Sequence, residues 1–151
     1  MGTRIVKPIF PHGRIVGGIE TEISKYPYQV ALEWDGYQFC AAAIISPIYV
    51  LSASHCVAGW DANELTIRTG SSQREDGGTV IKVQEIISNP LYNSSNVDYD
   101  VAIIKLATPI NFDESSSPIE VSNEEPAPGV NVIVTGWGVL EVSLFPQKFL
   151  L

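Results

Sequence analysis

The sequence feature that constrains the fold most is a short segment of alternating side chains followed by a tight turn. Residues 29–34 alternate apolar side chains with polar or small ones. This period of two is typical of a β-strand with one buried face. The next two residues, Asp35 and Gly36, suit the positive φ angles of a two-residue hairpin turn. The segment therefore predicts a β-hairpin that returns through residues 37–45.

Five further segments are predicted to be strands, because each is short, rich in apolar residues and bounded by Gly, Asn, Ser or Pro. They are residues 50–51, 65–69, 79–88, 101–106 and 130–135. Valine and isoleucine together outnumber leucine more than threefold. Because β-branched side chains pack well on a pleated sheet and lose rotamer freedom in a helix, this composition favours an all-β fold. Short strands with regular turns between them favour a closed barrel.

Charge and hydropathy exclude two classes of partner. The chain has 17 acidic and 9 basic residues, which gives a formal charge of −8. A protein that binds nucleic acid or an anionic membrane surface needs a basic face, so neither is an expected partner. The apolar runs are far shorter than the roughly 20 residues that cross a bilayer. No membrane-spanning segment is predicted.

Cysteine and histidine are scarce in this chain. Cys40 and Cys56 are the two cysteines, and His12 and His55 are the two histidines. From spacing alone, a disulfide and a pair of free thiols are equally good interpretations. A zinc site is not expected, because no Cys-x-x-Cys spacing occurs and the histidines are so few. No metal ion or other cofactor is predicted.

Four short motifs occur in a fixed order along the chain. Arg14 to Gly18 reads Arg-Ile-Val-Gly-Gly, Leu51 to Cys56 reads Leu-Ser-Ala-Ser-His-Cys, Asp98 to Leu106 reads Asp-Tyr-Asp-Val-Ala-Ile-Ile-Lys-Leu, and Thr135 to Gly138 reads Thr-Gly-Trp-Gly. In that order they resemble four segments of the trypsin and chymotrypsin family of serine proteases. These are the activation cleavage site, the Leu-Thr-Ala-Ala-His-Cys motif of the catalytic histidine, the segment of the catalytic aspartate, and the strand that opens the second barrel.

The resemblance implies a specific fold and a division of the chain. We expect the first six-stranded barrel of the chymotrypsin-like two-barrel fold, together with the start of the second barrel, over residues 15–138. The expected segments are a propeptide-like segment at 1–14, the first barrel to about residue 112, a linker at 113–129, the start of the second barrel at 130–138, and a tail unrelated to the family at 139–151.

The resemblance also implies roles for individual residues. His55 would act as general base and then as general acid, because imidazole titrates near neutral pH. Asp100 would hold the imidazole in one tautomer and stabilise its cation. Asp98 is the alternative, and the apolar run directly after Asp100 favours Asp100. Cys40 and Cys56 would form a disulfide that flanks the histidine.

Activation and location follow from the same resemblance. Cleavage after Arg14 would release Ile15 as a new amino terminus, so an activating trypsin-like protease is an expected partner. Protein or peptide substrates and protease inhibitors are the others. The resemblance implies an extracellular protein, although no signal peptide is visible in the sequence as given. In a secreted chain, Asn93 followed by two serines would be a glycosylation sequon in a predicted loop.

The sequence departs from the family at the nucleophile. The Gly-Asp-Ser-Gly-Gly motif that carries the family's serine does not occur in the 151 residues. The oxyanion hole and the specificity pocket belong to the same missing part. Cys40 is also followed by three alanines, where the family has Cys-Gly-Gly. We therefore expect a serine-type endopeptidase by family, with no turnover by this chain alone. The alternatives are a non-catalytic pseudoprotease or protein-binding decoy, and a non-functional truncated product.

Overall fold

Six antiparallel strands form a closed barrel in the computed structural model, which describes residues 18–138. The strands are β1 (Gln29–Trp34), β2 (Tyr37–Ile44), β3 (Tyr49–Ser52), β4 (Leu65–Thr69), β5 (Thr79–Ser88) and β6 (Ala102–Leu106). Their order around the barrel is β1-β2-β3-β6-β5-β4, and β1 pairs with β4 to close it. The helical elements within this range are one α-helical turn, α1 (Ser54–Val57), and two 3-10 turns (Ile23–Lys25 and Ala62–Glu64). The prediction of an all-β fold is confirmed. Within the described residues, none of the helices is long and apolar enough to cross a membrane.

The predicted hairpin is present, with one irregularity in the pairing of its two strands. Asp35 and Gly36 form its turn with φ angles of 50° and 79°. Leu32 is fully buried inside the barrel, as the alternation requires. The pairing with β2 then shifts register between Leu32 and Glu33. The shift does not change the alternation of β1, because its pairing with β4 runs without interruption to Trp34. Trp34 is the last residue of the strand and is 43% exposed rather than buried in the core.

The barrel interior is packed with aliphatic side chains from all six strands. Along β4 and β6 buried and half-buried residues alternate, as expected for strands with one face turned inward. The largest fully buried apolar side chains are Leu32, Ile44, Leu65, Ile67, Ile104, Val30, Val50 and Val57. Val57 is the member of this set that comes from α1 rather than from a strand, so the core extends beneath the helical turn.

Glu33 is buried on the outer side of β1, where the sequence predicts an exposed polar face. The Nε of Arg68 on the neighbouring strand β4 donates to the Oε1 of Glu33 at 2.6 Å. The same guanidinium donates to the carbonyl of Gly77 at 2.6 Å, in the loop after β4. A buried carboxylate is costly unless it is paired and hydrogen-bonded. The ion pair therefore explains how this glutamate is accommodated away from water.

The chain beyond the barrel contacts it at separate points. The hydroxyl groups of Ser116 and Thr69 lie 2.8 Å apart, and the N–H of Ile119 donates to the carbonyl of Ile44 at 2.9 Å. Further on, Trp137 is buried against Ile23 and Ala31 on the outer face of β1. The segment between these anchors has no strand partner among the described residues.

Residues 130–135 are predicted to be a strand from their sequence, and this prediction is wrong for the structure. Three of their side chains, Val132, Ile133 and Val134, are 70% or more exposed. A strand persists only where a neighbouring strand satisfies its N–H and C=O groups. No such neighbour lies within residues 18–138, so the apolar pattern is present without the pairing it requires.

Candidate active site

His55 lies in α1, the single helical turn that follows β3. Its neighbours Ser54, Cys56 and Val57 are all buried, and the latter two belong to the barrel core. The side chain of His55 itself is 51% exposed. The turn is therefore fixed from below by the core and presents the imidazole ring at the surface.

A disulfide joins this helical turn to the barrel wall. Cys40 on β2 and Cys56 on α1 are bonded, with their Cα atoms 6.0 Å apart. The structure thus decides between the two interpretations of the cysteines in favour of the disulfide. The Sγ of Cys56 lies 3.4 Å from the Nε2 of His55. Cys40, His55 and Cys56 bring three potential metal-ligand atoms within 4.8 Å of one another. Because the two sulfurs are bonded to each other, they do not offer the thiolates that zinc requires.

Asp100 approaches His55 from the loop between β5 and β6 with both carboxylate oxygens. Its Oδ2 lies 2.6 Å from the Nδ1 of His55, and its Oδ1 accepts the backbone N–H of His55 at 2.7 Å. The N–H of Val101 donates to the carbonyl of Tyr99 at 2.9 Å, which forms a tight turn centred on Asp100. The two hydrogen bonds between Asp100 and His55 fix both the position of the carboxylate and the orientation of the imidazole ring.

The same contacts alter the acidity of Asp100. The hydrogen bond from the His55 imidazole holds the pKa of this carboxyl group below its ordinary value. Partial desolvation opposes the shift, and the backbone N–H of His55 adds to it. The carboxylate is therefore ionised at neutral pH. An ionised carboxylate accepts the Nδ1 proton, selects one imidazole tautomer and stabilises the imidazolium when the ring gains a proton.

Asp98, the alternative partner, lies elsewhere. Its Oδ1 accepts the N–H of Tyr99 at 3.0 Å, and its backbone pairs with Asn93 in an isolated bridge. The side chain is exposed and makes no contact with His55. The structure thus brings Asp100, and not Asp98, to the histidine.

Ser54 is a residue of the site that the sequence analysis missed. Its hydroxyl donates to the carbonyl of Val101 at 2.7 Å, and the residue is fully buried. The bond joins α1, one residue before His55, to the loop one residue after Asp100. The available signal was a serine at the position where the family motif has alanine, since a hydroxyl in a buried turn needs a partner.

The remaining predicted site residues are placed as follows. Asn93 is exposed on the loop between β5 and β6. Ala42, in the segment that replaces the family's glycines, is buried in the core, and Ala41 packs against the cluster that contains Trp137. Arg14 and Ile15 lie outside the described residues.

Comparison with known proteins gives a consistent result. The family described as Trypsin matches residues 15–147. The chain is 39% identical over 132 residues to Trypsin theta of Drosophila melanogaster, a match that covers 87% of this chain and 50% of the relative. It is 37% identical over 126 residues to Hypodermin-A of Hypoderma lineatum, covering 83% of this chain and 49% of the relative.

A solved structure shows the same fold. The crystal structure of the scabies mite inactivated protease paralogue S-D1 superimposes with a TM-score of 0.83 at 30% sequence identity, over 90% of this chain and 59% of that one. The chain spans about half the length of the curated relatives it matches. The prediction of a chymotrypsin-like barrel is confirmed, and the chain belongs to the trypsin family of serine proteases.

Proposed function

We propose that this chain supplies the general base and its orienting carboxylate for a trypsin-like serine endopeptidase. The observation that carries the proposal is the 2.6 Å contact between His55 Nδ1 and Asp100 Oδ2. Because Nδ1 is occupied by the carboxylate, Nε2 is the ring nitrogen left to take a proton from a serine hydroxyl. The exposure of the ring is consistent with a reaction partner that approaches from outside the barrel.

The proposed reaction is acyl transfer from a peptide bond to serine and then to water. His55 accepts the serine proton during attack and returns it to the leaving amine, while Asp100 stays ionised throughout. The substrates are proteins or peptides. The serine, the oxyanion-hole amides and the specificity pocket belong to a part of the family's domain that has no counterpart in these 151 residues.

The proposed life cycle is that of a secreted zymogen. Cutting between Arg14 and Ile15 by a trypsin-like protease would activate the enzyme, and protease inhibitors would be further partners. Membership of the trypsin family supports this proposal, together with the disulfide, since such bonds persist in oxidising compartments.

The 151-residue chain is proposed to have no peptidase activity of its own, because stabilisation of the transition state needs the absent serine and oxyanion hole. Purified chain, incubated with peptide ester and amide substrates before and after cleavage behind Arg14, is expected to hydrolyse them no faster than buffer does. Turnover that disappears in His55→Ala would contradict this expectation.

A chimera tests whether the His55 and Asp100 pair works when the rest of the domain is supplied. Residues 1–138 are joined to the carboxy-terminal half of an active trypsin relative, and the product is cut behind Arg14. We expect hydrolysis of a peptide amide. In serine proteases, removing the histidine or replacing the aspartate by asparagine lowers kcat by about 10⁴ or more. His55→Ala and Asp100→Asn should do the same in the chimera.

Asp98→Asn is the matched control, because it makes the same chemical change two residues away on a carboxylate that does not contact the ring. It should leave kcat within about threefold of the parent, since surface changes away from the site have small effects. A folded chimera in which both aspartate variants behave alike would overturn the role of Asp100.

A non-catalytic paralogue is the second candidate. It is favoured by the three alanines after Cys40 and by the similarity in fold to a protein described as an inactivated protease paralogue. The chimera separates the two candidates. A folded chimera that hydrolyses no substrate, and gains activity only when Ala41 and Ala42 are changed to glycine, would favour the non-catalytic paralogue.

A further inference from the structure

The loop between β5 and β6 carries the one Asn-x-Ser/Thr sequence of the chain. It is Asn93-Ser94-Ser95, and all three residues are exposed. Asn93 lies seven residues before Asp100 on the same loop. Because the β5–β6 loop delivers the carboxylate to His55, any group attached at Asn93 would sit on the segment that borders the candidate active site.

The local geometry presents this sequence as a turn. The backbone N–H of Asn93 donates to the carbonyl of Asp98 at 3.0 Å, which closes a short loop tip. The side-chain oxygen of Asn93 accepts the N–H of Ser95 at 3.0 Å. This bond folds the side chain of Asn93 back towards the serine two residues on, and it uses the carboxamide oxygen rather than the nitrogen. An exposed turn of this kind is accessible to a modifying enzyme, whereas a paired strand is not.

We propose that Asn93 carries an N-linked glycan. The modification takes place on the secretory route, so it depends on the export part of the proposed function and is independent of catalysis. The donor is an oligosaccharide linked through a diphosphate to a membrane lipid. The Nδ2 of Asn93 forms a bond to the anomeric carbon and loses a proton, while the bond from that carbon to the diphosphate oxygen breaks and the lipid diphosphate leaves.

The loop also shows what the glycan would cover. Leu91, Val97 and Tyr99 are large apolar side chains that are more than half exposed around the same turn. Exposed apolar surface promotes self-association in soluble proteins. A hydrophilic glycan on this loop would hinder other molecules from reaching these side chains. Asn93 glycosylation therefore keeps the loop of the candidate active site soluble.

The experiment expresses the full chain behind a cleavable secretory signal in animal cells and analyses cell lysate and medium together. Treatment with a peptide N-glycosidase should lower the mass of the protein by one glycan and convert Asn93 to aspartate, which mass spectrometry of the peptide detects. Asn93→Gln and Ser95→Ala should both remove the glycan. Asn96→Gln is the matched control, because Asn96 lies on the same loop tip outside the sequon, and it should keep the glycan.

The outcomes are distinct. Unmodified Asn93 in both lysate and medium, or a glycan that persists in Asn93→Gln, would overturn the proposal. The aggregated fraction should rise after enzymatic removal of the glycan and in Asn93→Gln, but not in Asn96→Gln. A glycan whose removal leaves aggregation unchanged would overturn its shielding role. Because the supplied signal directs export, failure here is separate from failure of the chimera to hydrolyse peptides.

Discussion

His55 lies on a helical turn whose neighbours are buried, whereas Asp100 lies on an exposed loop. The helical side is attached to the barrel by the Cys40–Cys56 disulfide and by core packing of Val57. The loop side contains Val97 and Tyr99 in the left-handed region, with φ angles of 57° and 53°. Such angles are uncommon for large or β-branched residues. His55 is thus held by a buried, disulfide-bonded turn, whereas its partner Asp100 lies on an exposed loop with unfavourable backbone angles.

This difference shows where the precision of the site comes from. The loop itself has few buried side chains to fix Asp100. Instead, the carboxylate accepts two hydrogen bonds from His55, and Ser54 donates to the carbonyl of Val101. The helical turn therefore positions the loop, and variants on the two sides should have unequal effects.

Removal of the disulfide should have the largest effect on the stability of the chain. Cys40→Ala combined with Cys56→Ala is expected to lower the free energy of unfolding by about 3 kcal/mol. The unfolded chain without the cross-link regains the conformational entropy that closing a loop of this length removes. Denaturation by urea measures it. Ser94→Ala on the loop side is the control and should change stability very little. A loss below about 1 kcal/mol would show that packing alone holds the helical turn.

The hydrogen bond of Ser54 should give the next largest effect. Ser54→Ala is expected to cost about 1 kcal/mol. The carbonyl of Val101 also accepts the N–H of Asn89 at 3.0 Å, so it is not left unpaired. In NMR spectra, the signal of the proton shared by His55 and Asp100 should broaden. An unchanged signal would mean that the loop holds Asp100 without help from the helical turn.

Relieving the backbone strain in the β5–β6 loop should have a smaller effect on stability, and this effect should be stabilising. Val97→Gly is expected to stabilise the chain by about 0.5 kcal/mol, because glycine adopts the positive φ without the steric cost that valine bears. Val80→Gly is the matched control. Val80 is 48% exposed on β5, against 56% for Val97, and glycine there should destabilise the strand. Destabilisation by both glycine variants would show that the loop is not strained.

The smallest expected effect is the pH dependence of the stability that Asp100 contributes. The pKa of Asp100 is lower in the folded chain than in the unfolded one, so the ionised group stabilises the fold above a pH of about 4. This contribution is lost as the pH falls through the folded-state pKa. The difference in Tm between the parent and Asp100→Asn should therefore shrink in acid. Asp98→Asn is the control, and a difference for Asp100→Asn that grows in acid would contradict the expectation.

Most of the barrel was predictable from the sequence, because each strand obeys a local rule. The strand ends differ from the predictions by no more than one residue at β2, β3 and β6. The failure at residues 130–135 has a physical cause, since an apolar pattern gives propensity and a strand also needs a partner. Burial of Glu33 depends on Arg68, a residue 35 positions away, so no local pattern reveals it.

The candidate site was predictable to a different extent. The motif order indicated both His55 and Asp100, and the structure places His55 Nδ1 and Asp100 Oδ2 2.6 Å apart. The resemblance alone indicated the disulfide, because the spacing of the cysteines left the question open. Ser54 escaped notice because the importance of its hydroxyl depends on the position of the Val101 carbonyl. The position of this carbonyl next to Ser54 arises from closure of the barrel and is not encoded in the local sequence around Ser54 or Val101.

The disulfide between β2 and α1 also determines what a cut in the backbone would do. The chain between Cys40 and Cys56 passes through the connection from β2 to β3, where Pro47 is exposed. A protease that nicks this connection would produce two fragments. The first would end near Pro47 and the second would begin with β3, yet the sulfur bridge would keep them in one molecule. The histidine would stay beside the barrel wall after the nick, and only combined nicking and reduction would separate the fragments.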